Sequence, residues 1–181
     1  RGIINEEDYS IYNYGFLSGL ELSFCLCICS IISGIMDAFY EGIILWVIFL
    51  CVRSYAGGVH LKRYRHCLIC SCVVYSVILM LNRWKTLNSN ISLSLCCLCT
   101  LAIVVFSSLQ TYDIDEQEHS YFSSKLIRRL VLIVFISVVF YKCKFTVALS
   151  MISYSLSSIV ISVMIQCYIN IYKKHFIRSE R

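Results

Sequence analysis

Apolar residues occur along this chain in six runs: Phe16 to Met36, Gly42 to Val52, Cys67 to Leu81, Ile91 to Leu109, Leu130 to Tyr141 and Phe145 to Ile171. Polar clusters separate them, with Asp37 and Glu41 after the first run, Arg83-Trp84-Lys85 and Asn88-Ser89-Asn90 after the third, and Lys142-Cys143-Lys144 after the fifth. Continuous apolar stretches of this length read as helices, and about 20 such residues reach across a bilayer. The second and fifth runs are too short for an upright span. The second is therefore expected to tilt, to extend through Ala38-Phe39-Tyr40, or to be re-entrant. The pattern predicts an all-α, polytopic integral membrane protein with about six hydrophobic helices, the second and fifth short. The chain reads as one domain. Residues 1–15 form a polar, partly amphipathic entry segment, 53–67 a basic segment, 110–129 a charged loop and 172–181 a basic tail.

Composition agrees with that reading. Hydrophobic residues make up 59% of the chain and the mean hydropathy is +0.74, which excludes an ordinary soluble domain. The net charge of +5 does not point to nucleic acid, because the basic residues lie between apolar runs instead of along one face. Inner-leaflet lipid is the expected partner. With six crossings and both termini cytoplasmic, twelve of the 16 Lys and Arg residues fall inside, at Arg1, in 53–66, in 110–130 and in the tail. This matches the bias of basic residues towards the cytoplasm. Residues 1–14 are polar and acidic, so no cleavable signal sequence is expected there. Of the 12 cysteines, all but Cys67 and Cys143 fall inside apolar runs, where cysteine behaves as a small hydrophobe. Neither metal nor organic cofactor is implied.

One stretch does not fit a bland membrane bundle. Arg53-Ser54-Tyr55-Ala56-Gly57-Gly58-Val59-His60-Leu61-Lys62-Arg63-Tyr64-Arg65-His66-Cys67 is basic, hinged by glycine and set between two apolar runs. Positive charge and a helix N-terminus both stabilise a thiolate, and Cys67 has both. Its thiol is expected to be acidic and nucleophilic. His60 is the first base to consider, yet seven residues of continuous helix would separate the two by roughly 10 Å. The segment must therefore fold back, which Gly57-Gly58 permits. Other readings stand beside this one. His66 competes as the base, although as the immediate neighbour of Cys67 it points elsewhere on a helix. The segment also reads as a lipid-anchoring loop, or as a zinc site of His60, His66, Cys67 and Cys70. Glu21, inside the first run, either pairs inward, with Arg53 as the first partner to consider, or snorkels to water.

The arrangement Arg53, six residues, His60, six residues, Cys67, with Gly57-Gly58 before the histidine, resembles the AgrB family of membrane cysteine endopeptidases in Gram-positive quorum sensing. Glu7-Asp8-Tyr9, Tyr14-Gly15 and Gly19-Leu20-Glu21-Leu22 are similar to that family's entry into its first helix. The resemblance by motif covers about residues 5–75, while length and layout fit nearly the whole chain. It implies Cys67 as nucleophile and His60 as base. Arg53, Gly58 and Glu21 match positions the family tends to keep; from the residues themselves, Arg53, Gly57, Gly58 and Glu21 are read in supporting, oxyanion or structural roles, and Lys125, Arg128 and Arg129 of the charged segment as candidate substrate contacts. The resemblance further implies an AgrD-like propeptide as substrate, a homodimer, and a plasma membrane with the site at its cytoplasmic face. The family's proline-bearing segment after the fourth apolar stretch has no counterpart, since the chain contains no proline. A small peptide transporter or a non-enzymatic membrane scaffold would share the six runs but would not need the His60 and Cys67 pair.

Overall fold

The computed structural model describes residues 6–56, 64–109 and 116–179. They form six helices: α1 Glu6–Ile35, α2 Phe39–Ala56, α3 Tyr64–Trp84, α4 Ser89–Leu109, α5 Glu116–Lys142 and α6 Thr146–Ser179. No strand occurs among the described residues.

A chain without proline ends its helices by other means. At the α1–α2 turn Asp37 takes a left-handed backbone conformation (φ 51°). There Ala38 N–H donates to Ser33 O at 2.9 Å and Asp37 N–H to Gly34 O at 3.2 Å. The α5–α6 turn repeats the motif with Lys144 (φ 61°), Phe145 N–H donating to Phe140 O at 3.0 Å and Lys144 N–H to Tyr141 O at 3.2 Å. Both are Schellman caps, which satisfy carbonyls that a helix end leaves open. The second carries the apolar contact typical of the motif, Phe140 and Phe145 meeting edge to face with centroids 5.9 Å apart.

The three tight turns lie at one end of the bundle. Arg83 donates from Nη1 to the Met36 carbonyl, joining the α3–α4 connection to the α1–α2 turn. Tyr141 donates to Asn90 Oδ1 at 2.9 Å and Tyr154 to Lys85 O at 2.9 Å, which brings in the α5–α6 end. The C-terminus of α2 and the N-termini of α3 and α5 consequently share the opposite end.

Helix α6 is the centre of the molecule, packing most heavily on α4 and α2 and also on α3 and α5. Leu149, Ile152, Leu156, Ile159 and Val163 on it are fully buried. Serines share this apolar core, and large apolar residues also face outward. Ser137, Ser150, Ser153 and Ser155 are completely buried, while Leu98, Leu101, Val131 and Phe135 are each more than half exposed. Small hydroxylated residues let helices approach closely where the surroundings are as apolar as the side chains. The Ser153 hydroxyl is shared between Ser92 O of α4 at 2.7 Å and Leu149 O of its own helix at 3.0 Å. Cys96 and Ser137 make the matching contact between α4 and α5 at 3.3 Å.

Three boundaries differ from those read off the apolar runs. The fifth helix is not short: at 27 residues it begins at Glu116, inside the stretch 110–129 that reads as a loop. Its buried stripe of Leu126, Leu130, Ile133 and Ser137 continues at helical spacing upstream of the apolar run, and packing extends the helix accordingly. The entry segment is no separate element from Glu6 onward, because α1 runs unbroken to Ile35. Helix α2 takes in Phe39 and Tyr40 at its start, in line with one of the expected extensions, and departs at its end by running on through Arg53 to Ala56. Two helical segments, Ser89–Ser107 and Thr146–Ile169, are long and apolar enough to cross a membrane, and Gly19–Ile35, Phe39–Val52 and Leu68–Trp84 are shorter apolar helices.

Candidate active site

Cys67 lies in the first turn of α3, as the fourth residue of a helix that starts at Tyr64. Helix α2 is described to Ala56 and α3 from Tyr64. His60, Gly57 and Gly58 lie outside the described residues, as do the side chains of Arg53, His66 and Cys67. The backbone of Arg53 belongs to the last turn of α2. Glu21 is half-buried on α1, and its pairing with Arg53 falls on a side chain outside the described set. Of the four residues of the zinc alternative, only Cys70 has a described side chain, and it is exposed on α3. Cys143 is exposed in the α5–α6 turn, at the end of the bundle opposite to Cys67.

Lys125, Arg128 and Arg129 share one side of α5 through their spacing of three and four residues. Arg128 is exposed, and Lys125 and Arg129 are half-buried. Arg129 is held on α2. It donates from Nη1 to Cys51 O at 3.2 Å and from Nη2 to the Tyr55 hydroxyl at 3.2 Å. Its guanidinium carbon also stands 4.3 Å from the centroid of the Tyr55 ring, within cation–π range. A cation at the carboxyl end of a helix is further favoured by the helix dipole. Sequence reasoning treats Arg129 as a substrate contact and gives Tyr55 no role. Nothing local connects residues 74 positions apart.

A bundle that is all-helical among the described residues, with many large apolar side chains on its outside, serines set into an apolar interior and a cysteine in the first turn of its third helix, defines a membrane-type helical protein. The chain belongs to the AgrB family, accessory gene regulator B, whose family model matches residues 1–170. The match runs from the start of the chain into α6, well beyond the stretch that carries the motif. This family is membrane-associated, is known for cysteine-protease-like peptide processing, and is linked to an AgrD-like propeptide. Neither the curated proteins nor the solved structures contain a match to the chain.

Proposed function

We propose that the protein is a membrane cysteine endopeptidase that removes the C-terminal tail of a short quorum-sensing propeptide and promotes ring closure of the remainder. His60 takes the proton of the Cys67 thiol. The thiolate attacks a backbone carbonyl of the propeptide, the C–N bond breaks, and the tail leaves as an amine carrying the transferred proton. A thioester between the peptide and Cys67 remains. A cysteine or serine side chain within the bound peptide then attacks this thioester, which closes a thiolactone or lactone and returns the Cys67 thiol. An apolar setting excludes the water that would hydrolyse the thioester. Arg53, or N–H groups near Gly57-Gly58, would stabilise the oxyanion.

The observation that supports this most is Cys67 in the first turn of α3, at the bundle end shared with the last turn of α2, in a chain of the AgrB family. The proposal carries six crossings, cytoplasmic termini, a homodimer and a Gram-positive plasma membrane with the site facing the cytoplasm. Mass spectrometry of protein in lipid vesicles with the propeptide encoded beside its gene tests it. A tail fragment plus a product lighter by one water than the corresponding linear peptide is expected from the wild type and from neither Cys67→Ala nor His60→Ala. Unchanged product from Cys67→Ala would sink the assignment.

A further inference from the structure

Between α1 and α2 lies a groove of about 280 Å³. Phe39, Ile43 and Val47, four residues apart on α2, line it, and that spacing stacks side chains along one face of a helix. Leu26 and Ser30 of α1 line it as well, and the half-buried Trp46 and buried Tyr75 form its inner side. It begins at the first residue of α2, beside the tight turn, and from Phe39 to Val47 it extends about 12 Å along the helix.

The shape and setting of the groove select its occupant. Phe39, Ile43, Val47 and Leu26 are each about half exposed on the apolar outside of the bundle, so in a membrane-associated family the groove opens to lipid. Its length is most of the depth of one leaflet, about 15 Å, half of a hydrocarbon core of about 30 Å. Spread over that length, 280 Å³ gives a cross-section of about 23 Å², against roughly 80 Å² for a helix with its side chains. A helix from a second copy or from a peptide is too thick to enter. A single extended hydrocarbon chain is not. The Ser33 and Tyr75 hydroxyls are bonded to each other at 2.5 Å, so they ask for no polar partner from the groove. At its mouth Arg83 is joined to the Met36 carbonyl, and the neighbouring Trp84 is 88% exposed. An indole and a cation beside an apolar helix end mark headgroup depth.

We infer that this groove holds one acyl chain of a phospholipid from the leaflet at the tight-turn end, its headgroup level with Arg83 and Trp84 and its chain running past Ser30 to Trp46. The site is at the opposite end of α3 from Cys67 and does not rest on the peptidase reading.

The chain has 2 tryptophans, so Trp84→Phe leaves Trp46 as the reporter on the groove. Full-length Trp84→Phe protein in detergent micelles is titrated with phosphatidylglycerol brominated on its acyl chains, bromine being a contact quencher. Trp46 fluorescence is expected to fall saturably, with a single lipid retained in native mass spectrometry. Mid-chain bromines are expected to quench more than bromines beside the ester, because Trp46 lies about 10 Å along α2 from Phe39. Ser30→Phe fills the groove from α1 and is expected to raise the half-saturating lipid concentration about tenfold, the equivalent of roughly two methylenes kept from burial. Ile31→Phe, at an exposed position outside the groove, is expected to leave it unchanged. Quenching that grows without saturating, or that is equal in the two variants, overturns the inference, since Trp46 would then be meeting bulk lipid. Stronger quenching by bromines beside the ester overturns it as well, because the headgroup would lie at the wrong depth. So does an absence of quenching, which would give the groove to a second copy or a peptide. If Ser30→Phe loses its helical circular dichroism, Val47→Phe narrows the groove from α2 instead. A comparable weakening there upholds the inference and unchanged affinity overturns it.

Discussion

The hydroxyls of Ser33 and Tyr75 both crowd the place where a Cβ on Gly42 would stand, closer than real contacts come, with the serine's the nearer. Tyr75 on α3 shares a 2.5 Å hydrogen bond with Ser33 on α1, and the pair lies directly against the backbone of α2. Glycine at position 42 is thus required by close approach of three helices, with no unusual backbone angle involved. Gly42→Ala must push apart the Ser33 and Tyr75 hydroxyls, whose bond is buried. It is expected to cost about 1–3 kcal/mol, as overpacking does. Denaturant titration in detergent checks this, and adding Ser33→Ala with Tyr75→Phe should recover most of the loss.

The seam between α4 and α6 makes a second prediction. Ser153→Ala removes one shared hydroxyl and should cost about 0.6 kcal/mol, the average found for such bonds between membrane helices. Ser153→Leu places a large side chain where α4 and α6 meet at a fully buried serine, and should cost about 1–3 kcal/mol. The same titration distinguishes a seam set by small residues from one set by hydrogen bonds, because the second view ranks the two variants as equal.

Helical structure through Ser124, an exposed residue in the ninth position of α5, is tested by Ser124→Pro. In a helix interior proline costs about 3 kcal/mol, from a lost N–H and a clash with the preceding turn. In a loop the same change would be close to neutral. A clear drop in the unfolding midpoint, with loss of helical circular dichroism, is the expected result.

Cys143 and Cys67 lie at opposite ends of the bundle, and this orders them across the membrane in the proposed orientation. A membrane-impermeant maleimide added to intact cells should label Cys143 and spare Cys67 until the cells are opened. Site-resolved mass spectrometry reads both at once, and the reverse pattern would turn the proposed topology over. Cys143→Ser should leave propeptide processing unchanged, whereas Cys67→Ser should reduce it severely, since a serine hydroxyl beside histidine is a far weaker nucleophile at neutral pH.

Much of the helical layout was legible in the amino-acid order because helix formation is local. Each backbone bond closes over four residues, so an apolar run bounded by Asp37, by Asn88-Ser89-Asn90 or by Lys142-Cys143-Lys144 announces a helix and its ends. The placement of Cys67 in a first turn was legible for the same reason. The start of α5 was not, since the stretch from Glu116 to Arg129 is mostly polar and carries no apolar run, although Leu126 within it is buried against the core. Of the candidate site, the pair His60 and Cys67 came from spacing and resemblance, and the grip of Arg129 on α2 came from neither.

What the sequence determined by itself is a chain of six apolar helices, their connections, and a thiol presented at a helix start beside positive charge. What only the tertiary structure decided is which helices are neighbours: α6 at the centre, Gly42 against Ser33 and Tyr75, and Arg129 on residues 74 and 78 positions away. The reason is physical. When nearly every face of a helix is apolar, as in α1, α2 and α6, amphipathicity carries no instruction about which face turns inward. Partner choice passes to small residues, shared hydroxyls and single charged side chains, whose effect exists only once the helices have met.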